Sequence, residues 1–150
     1  MADRLEHSIL HRRGFSDGAI TVTARESVDF VINGQSVIEM LDRARNLSSD
    51  CMGCFVRGFD DANRLAAARL FMQEAPDSPA GRVLLYTCAE CGDIGCGAYT
   101  VRLSRHDDLW SWSDFAWENG YEDPQSLLLP RFEFADETYR AAILAGSSIG

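Results

Sequence analysis

The chain has 150 residues, 46% of them apolar and 25% charged, which argues against disorder over most of its length and fits one domain with its own hydrophobic core. Its 23 acidic side chains outnumber 14 basic ones, for a net charge of −9. A surface of that sign repels phosphate backbones, so no nucleic-acid ligand is expected; an acidic protein is soluble and suits a basic protein partner.

The opening residues, MADRLEHSILHRRGF, alternate charged and apolar side chains and lack the apolar run of a secretory leader. No stretch has the length of a membrane span. A cytoplasmic location is therefore expected, where cysteines stay reduced and serve as metal ligands or catalytic thiols before they serve as disulfides.

Residues 4–12 predict a short helix stopped by Gly14. His7 and His11 would share a face of that helix, but the glutamate of a metalloprotease helix is missing between them, and surface side chains are the simpler reading. Residues 19–26 alternate as a half-buried strand does, residues 27–32 extend or re-enter it, and Asn33-Gly34 marks a turn. Ser36 then caps a helix to about Arg45, with Val37, Ile38, Met40 and Leu41 as its apolar stripe.

Residues 46–59 read as a loop holding Cys51 and Cys54, and Asp60 or Asp61 opens a second helix running to about Glu74. The run Ala75-Pro-Asp-Ser-Pro-Ala-Gly81 is an internal loop, since neither side of it is large enough to stand alone. Three strands follow at 82–87, 97–105 and 109–117, the last two joined by the polar turn His106-Asp107-Asp108, where a solvated histidine is expected. Residues 119–130 read as loop and Phe132 to Phe134 as a brief strand. Asp136 caps a final helix to about Leu144, ended by Gly146, with a fraying tail. Strands and helices are segregated and no repeat is present, so the expected fold is one α+β domain over residues 1–150. Its antiparallel sheet carries helices on one face and a cysteine-bearing β-hairpin.

All five cysteines fall in two places: Cys51-Met-Gly-Cys54 and Cys88-Ala-Glu-Cys91-Gly-Asp-Ile-Gly-Cys96. Cys88 and Cys91 followed by Gly92 have the form of a zinc knuckle, a tight turn in which thiolates converge. Two ligand sets compete. Either two Cys-x-x-Cys hooks (Cys51, Cys54, Cys88, Cys91) close a four-thiolate zinc site, or Cys88, Cys91 and Cys96 bind the ion with one outside donor. Thioredoxin-like redox chemistry needs a thiol at a helix N-terminus in a βαβ setting, and neither pair has one. Buried, metal-free thiols remain the simplest alternative. No nucleophile elbow, phosphate loop or dinucleotide-binding glycine pattern is present.

The densest aromatic stretch is Trp110-Ser-Trp112-Ser-Asp114-Phe115-Ala-Trp117-Glu118, followed by Tyr121. Trp110 and Trp112 share a face, and a bulge near Ser113 would bring Phe115 and Trp117 onto one. One set is expected in the core. The other, with Asp114, Glu118, Glu122 and Asp123, is either an acidic-aromatic recognition patch or the edge of that core.

The segment Leu84–Val101, with Trp112, Phe115-x-x-Glu118 and the closing Phe132-x-Phe134 and helix, resembles a family of small uncharacterised bacterial proteins, many from actinomycetes. Some members carry an automatic oxidoreductase label. The resemblance spans roughly residues 82–145 and does not include Cys51 and Cys54, so it moves weight to Cys88, Cys91 and Cys96. By analogy of class, small acidic α+β proteins of this sort are also similar to immunity proteins of toxin systems. The function expected is a non-catalytic, immunity- or adaptor-like protein-binding module with a structural zinc site. The alternative is a thiol- or metal-dependent oxidoreductase using the same cysteines.

Overall fold

A single long β-arm is built by the first fifth of the chain. In the computed structural model, which describes residues 2–150, β1 (Leu5–Arg12), β2 (Phe15–Asp17), β3 (Ile20–Val22) and β4 (Arg25–Ile32) form two antiparallel ladders in one continuous register. Leu5 faces Ile32 at the base, Arg12 faces Arg25, and Phe15 faces Val22 beyond a short break. Phe15 and Ile20 stand exposed near the tip.

The expected helix over residues 4–12 is therefore a strand. Leu5 and Ile9 are spaced by four, an interval that satisfies a helical period and an alternating one equally well. The partner decides between them. Val28, Phe30 and Ile32 of β4 are wholly buried and present a β-branched and aromatic surface that recruits β1. His7 and His11, four residues apart in extended chain, lie roughly 13 Å apart along the strand and cannot share an ion.

Asn33 and Gly34 both take positive φ (53° and 82°) and turn the chain into β5 (Gln35–Ser36) and α1 (Val37–Ala44). Ser36 caps α1, accepting from the Glu39 amide and donating at 2.5 Å to the buried carboxylate of Asp29. The Tyr86 hydroxyl donates to the other oxygen of that carboxylate at 2.6 Å and accepts from the Phe30 amide. Burial holds this phenol well above its ordinary pKa.

The remaining strands are β6 (Cys51–Gly53), β7 (Val83–Cys88), β8 (Ala98–His106), β9 (Leu109–Glu118), β10 (Gln125–Ser126) and β11 (Phe132–Ala135). They form an antiparallel sheet in the order β10-β9-β8-β7-β6, with β11 also paired to β9. The helices α2 (Asp60–Leu70) and α3 (Asp136–Ser147) pack on each other and against this sheet, giving the α+β class. The two sheets meet where the Val28 amide donates to Phe55 O at 2.9 Å and the Arg57 amide donates to Glu26 O at 2.9 Å. Gly53 makes this approach possible, because a Cβ there would lie 1.8 Å from the Val28 carbonyl oxygen.

At the centre of the core, Trp110 stacks on Tyr139 with ring centroids 4.7 Å apart, and Trp112 meets Phe30 edge-on at 5.2 Å. A bulge in β9, with Asp114 at φ 51°, keeps Trp110, Trp112 and Phe115 on the core side together. Helix α2 stops at Leu70, short of Glu74. Helix α3 runs through Gly146, whose bare backbone lets the Phe55 ring lie against it. Asp136 is the first residue of α3 rather than its cap; its carboxylate accepts from Trp110 Nε1 and from Arg140 Nε, both at 2.8 Å.

Candidate functional site

The Cys88–Cys96 segment forms the connection between β7 and β8, as its residues predict. Cys88 closes β7, Gly92 turns the chain at φ 72° with its amide bonded to Cys88 O at 2.9 Å, and Cys96 ends a single 3₁₀ turn over Ile94–Cys96. Asp93 caps that turn by accepting from the Gly95 amide at 2.8 Å, and the buried Thr87 hydroxyl donates to Asp93 O at 2.9 Å. The loop thus holds its shape through its own hydrogen bonds.

The sulfurs of Cys88, Cys91 and Cys96 lie within 4.8 Å of one another, the one such group of potential metal donors among the described residues. Cys91 and Cys96 are joined as a disulfide, Cα–Cα 6.4 Å, while Cys88 is a half-buried free thiol. Cys51 and Cys54 do not enter the group, so the structure does not assemble the two-hook ligand set. Cys51 is the ladder partner of Cys88 in β6–β7, and burial raises its thiol pKa. The Cys54 amide donates to Leu85 O, which carries its side chain toward the α2 side of the sheet, where burial pushes the thiol up strongly. Residues 46–59 read as loop, so nothing in the sequence marked the strand β6 (Cys51–Gly53) that sets the two cysteines apart.

The hairpin is clamped to the β-arm. Arg12 Nη1 donates to Glu90 Oε1 at 2.6 Å and to Thr23 O at 2.7 Å, while its Nε and Nη2 bind Asp50. Thr23 adds two bonds to Glu90, from its amide at 3.0 Å and its hydroxyl at 3.2 Å. The Thr23 amide and the Arg12 guanidinium together lower the Glu90 pKa to about 2. Arg25 Nε donates to Ala89 O at 3.2 Å and ties the same turn from its other side. None of these residues carries a sequence signature. On the opposite side of the hairpin the Trp117 ring lies over Gly97, where a Cβ would be 2.2 Å from it.

Beside the hairpin, between α2 and the β6–β7 ladder, lies a cleft of about 340 Å³ that Cys91 and Gly92 border. Met52, Cys54 and Leu84 contribute to its floor, and Ala62 and Ala66 of α2 line it from above. A volume in the lower part of the ~300–1,000 Å³ range suits a small molecule.

The aromatic stretch is core and core edge. Trp110, Trp112 and Phe115 are buried, and Trp117 is half-buried beneath the Arg45 guanidinium, 3.9 Å from its ring centroid. Glu118 is buried as the acceptor of Ser78 and Thr100, and Asp114 is bound by Arg82 and Arg102. Of the two readings of this stretch, the core edge is the one that holds for Trp117, Asp114 and Glu118, while Tyr121, at 86%, is exposed along with Glu122 and Asp123. His106 sits in its solvated turn beside Asp107. No helix among the described residues is long and apolar enough to cross a membrane.

Compared with protein-family models, with curated proteins and with solved structures, the chain matches none of them.

Proposed function

We propose that the cysteine hairpin is a thiolate metal centre that takes zinc when its cysteines are reduced, in a non-catalytic protein-binding module of the immunity or adaptor kind. The observation that carries this reading is the convergence of three sulfurs within 4.8 Å on a loop fixed by its own hydrogen bonds. A tetrahedral zinc with Zn–S near ~2.3 Å sets its sulfurs about 3.8 Å apart. Cys88 therefore needs only a small movement, and Cys91 and Cys96 need only to part as thiolates. Soft thiolate donors select zinc over calcium or magnesium. Cys88, Cys91 and Cys96 supply three ligands, and an outside donor, water or a group on a partner, supplies the fourth.

The partner is read as a basic protein. The net charge of −9 favours one, and the β-arm offers Phe15 and Ile20 as apolar contacts at its far end. The test is metal content of protein purified under reducing conditions, read by elemental analysis. One zinc per chain supports the reading. A chain that stays metal-free with three reduced thiols in the hairpin defeats it.

A thiol oxidoreductase is the second reading, favoured by the Cys91–Cys96 bond with the Cys88 thiol at its side. A dithiol substrate would reduce that bond, its two electrons and two protons leaving Cys91 and Cys96 as thiols and the substrate as a disulfide. Metal-free protein that exchanges catalytically with a small dithiol supports this second reading over the first.

A further inference from the structure

The cleft under α2 carries four charged side chains, and three are already matched. Arg69 Nη1 binds Asp77 Oδ2 at 3.0 Å, and Glu90 is held by Arg12. Arg25 is the exception: among the described residues no carboxylate lies within ion-pair reach of it. Its Nε donates to Ala89 O and its Nη1 reaches Ala24 O at 3.4 Å, which leaves Nη2 without a protein acceptor. The guanidinium is half-buried and lies over the Phe59 ring, 5.4 Å from its centroid, so it is fixed at one end of the cleft. The neighbouring floor is apolar, and α2 sets alanines at positions 62 and 66, one turn apart, where larger side chains would close the space.

We propose that this cleft is a binding site for a small carboxylate borne on an apolar body, the anion on Arg25 and the body between α2 and the sheet. The free Nη2 can donate a charge-assisted hydrogen bond to a carboxylate, and an apolar surrounding strengthens that pairing. Apolar area beside the anion supplies the rest of the affinity. The inference is independent of the metal reading, because the cleft is complete with Cys91 and Cys96 bonded.

Octanoate and octylamine, alike in chain and opposite in charge, are the probes, titrated by calorimetry into metal-free, disulfide-bonded protein. Octanoate is expected to saturate one site and to bind at least about tenfold more tightly than octylamine. Arg25→Gln should weaken octanoate by about tenfold or more, the usual cost of losing a charge-assisted hydrogen bond. Ala62 is exposed, so Ala62→Trp keeps the fold while covering the cleft, and it should abolish saturable binding. The assignment is overturned if octanoate fails to saturate a site, binds no tighter than octylamine, or binds the R25Q or A62W protein as it binds the parent.

Discussion

Arg12 and Glu90 are distant in sequence yet meet at 2.6 Å, and through this pair the β-arm grips the turn that carries the cysteines. Glu90 has its pKa lowered from 4.5 to about 2. A carboxylate depressed in the folded state stabilises it above the unfolded pKa, and that contribution disappears as pH falls through the folded one. The grip should therefore hold above pH 4.5 and loosen progressively toward pH 2. Protection of the Thr23 amide, its exchange rate by NMR relative to the intrinsic rate at each pH, should fall as Glu90 is protonated, and Glu90→Ala should show the lowered protection already at neutral pH.

Zinc affinity should depend on which cysteine is lost. Cys88→Ser or Cys96→Ser should weaken the reduced protein's hold on zinc at least tenfold, whereas Cys54→Ala should leave it unchanged because Cys54 lies outside the trio. Competition with a chromogenic chelator measures both. A loss in Cys54→Ala together with none in Cys96→Ser would restore the four-thiolate arrangement.

Tyr139→Phe should destabilise the fold by about 1–3 kcal/mol in a urea melt. The hydroxyl donates to Leu70 O at 2.7 Å and accepts from Trp112 Nε1 at 3.2 Å, in a fully buried setting. Removing it orphans a carbonyl and an indole N–H at once. An unchanged midpoint would mean that these bonds are replaced without cost.

The strands β7, β8, β9 and β11 are legible because their alternation is strong and their turns are marked by glycine, aspartate and cysteine, whereas the two-residue β10 falls inside the stretch read as loop. Ser36, Asn33-Gly34 and the possibility of a bulge beside Ser113 were legible for the same local reason. Where the sequence reading went astray, a distant partner made the decision. Leu5 and Ile9 fit two periods until β4 chose one. Cys51 and Cys54 looked like a hook, but strand alternation sends them to different places. Arg12 and Arg25 are ordinary surface arginines in a linear reading, and only the arm's register brings them to the cysteine turn.

Gly53→Ala should cost more than about 3 kcal/mol, beyond the usual range for overpacking, because the added methyl meets the Val28 backbone rather than a side chain that can move. Gly34→Ala offers the comparison: its φ of 82° is strained for alanine but nothing lies within 4 Å of the new methyl. Circular dichroism melts of the two variants should rank Gly53→Ala clearly lower.

The indole of Trp117, seated over Gly97 directly after Cys96, gives the molecule an optical gauge of its sulfur chemistry. Thiols and disulfides quench indole emission to different degrees. With Trp110 and Trp112 shut inside the core, opening or metallating the cysteine turn should register as a change in fluorescence from one ring, with no dye attached.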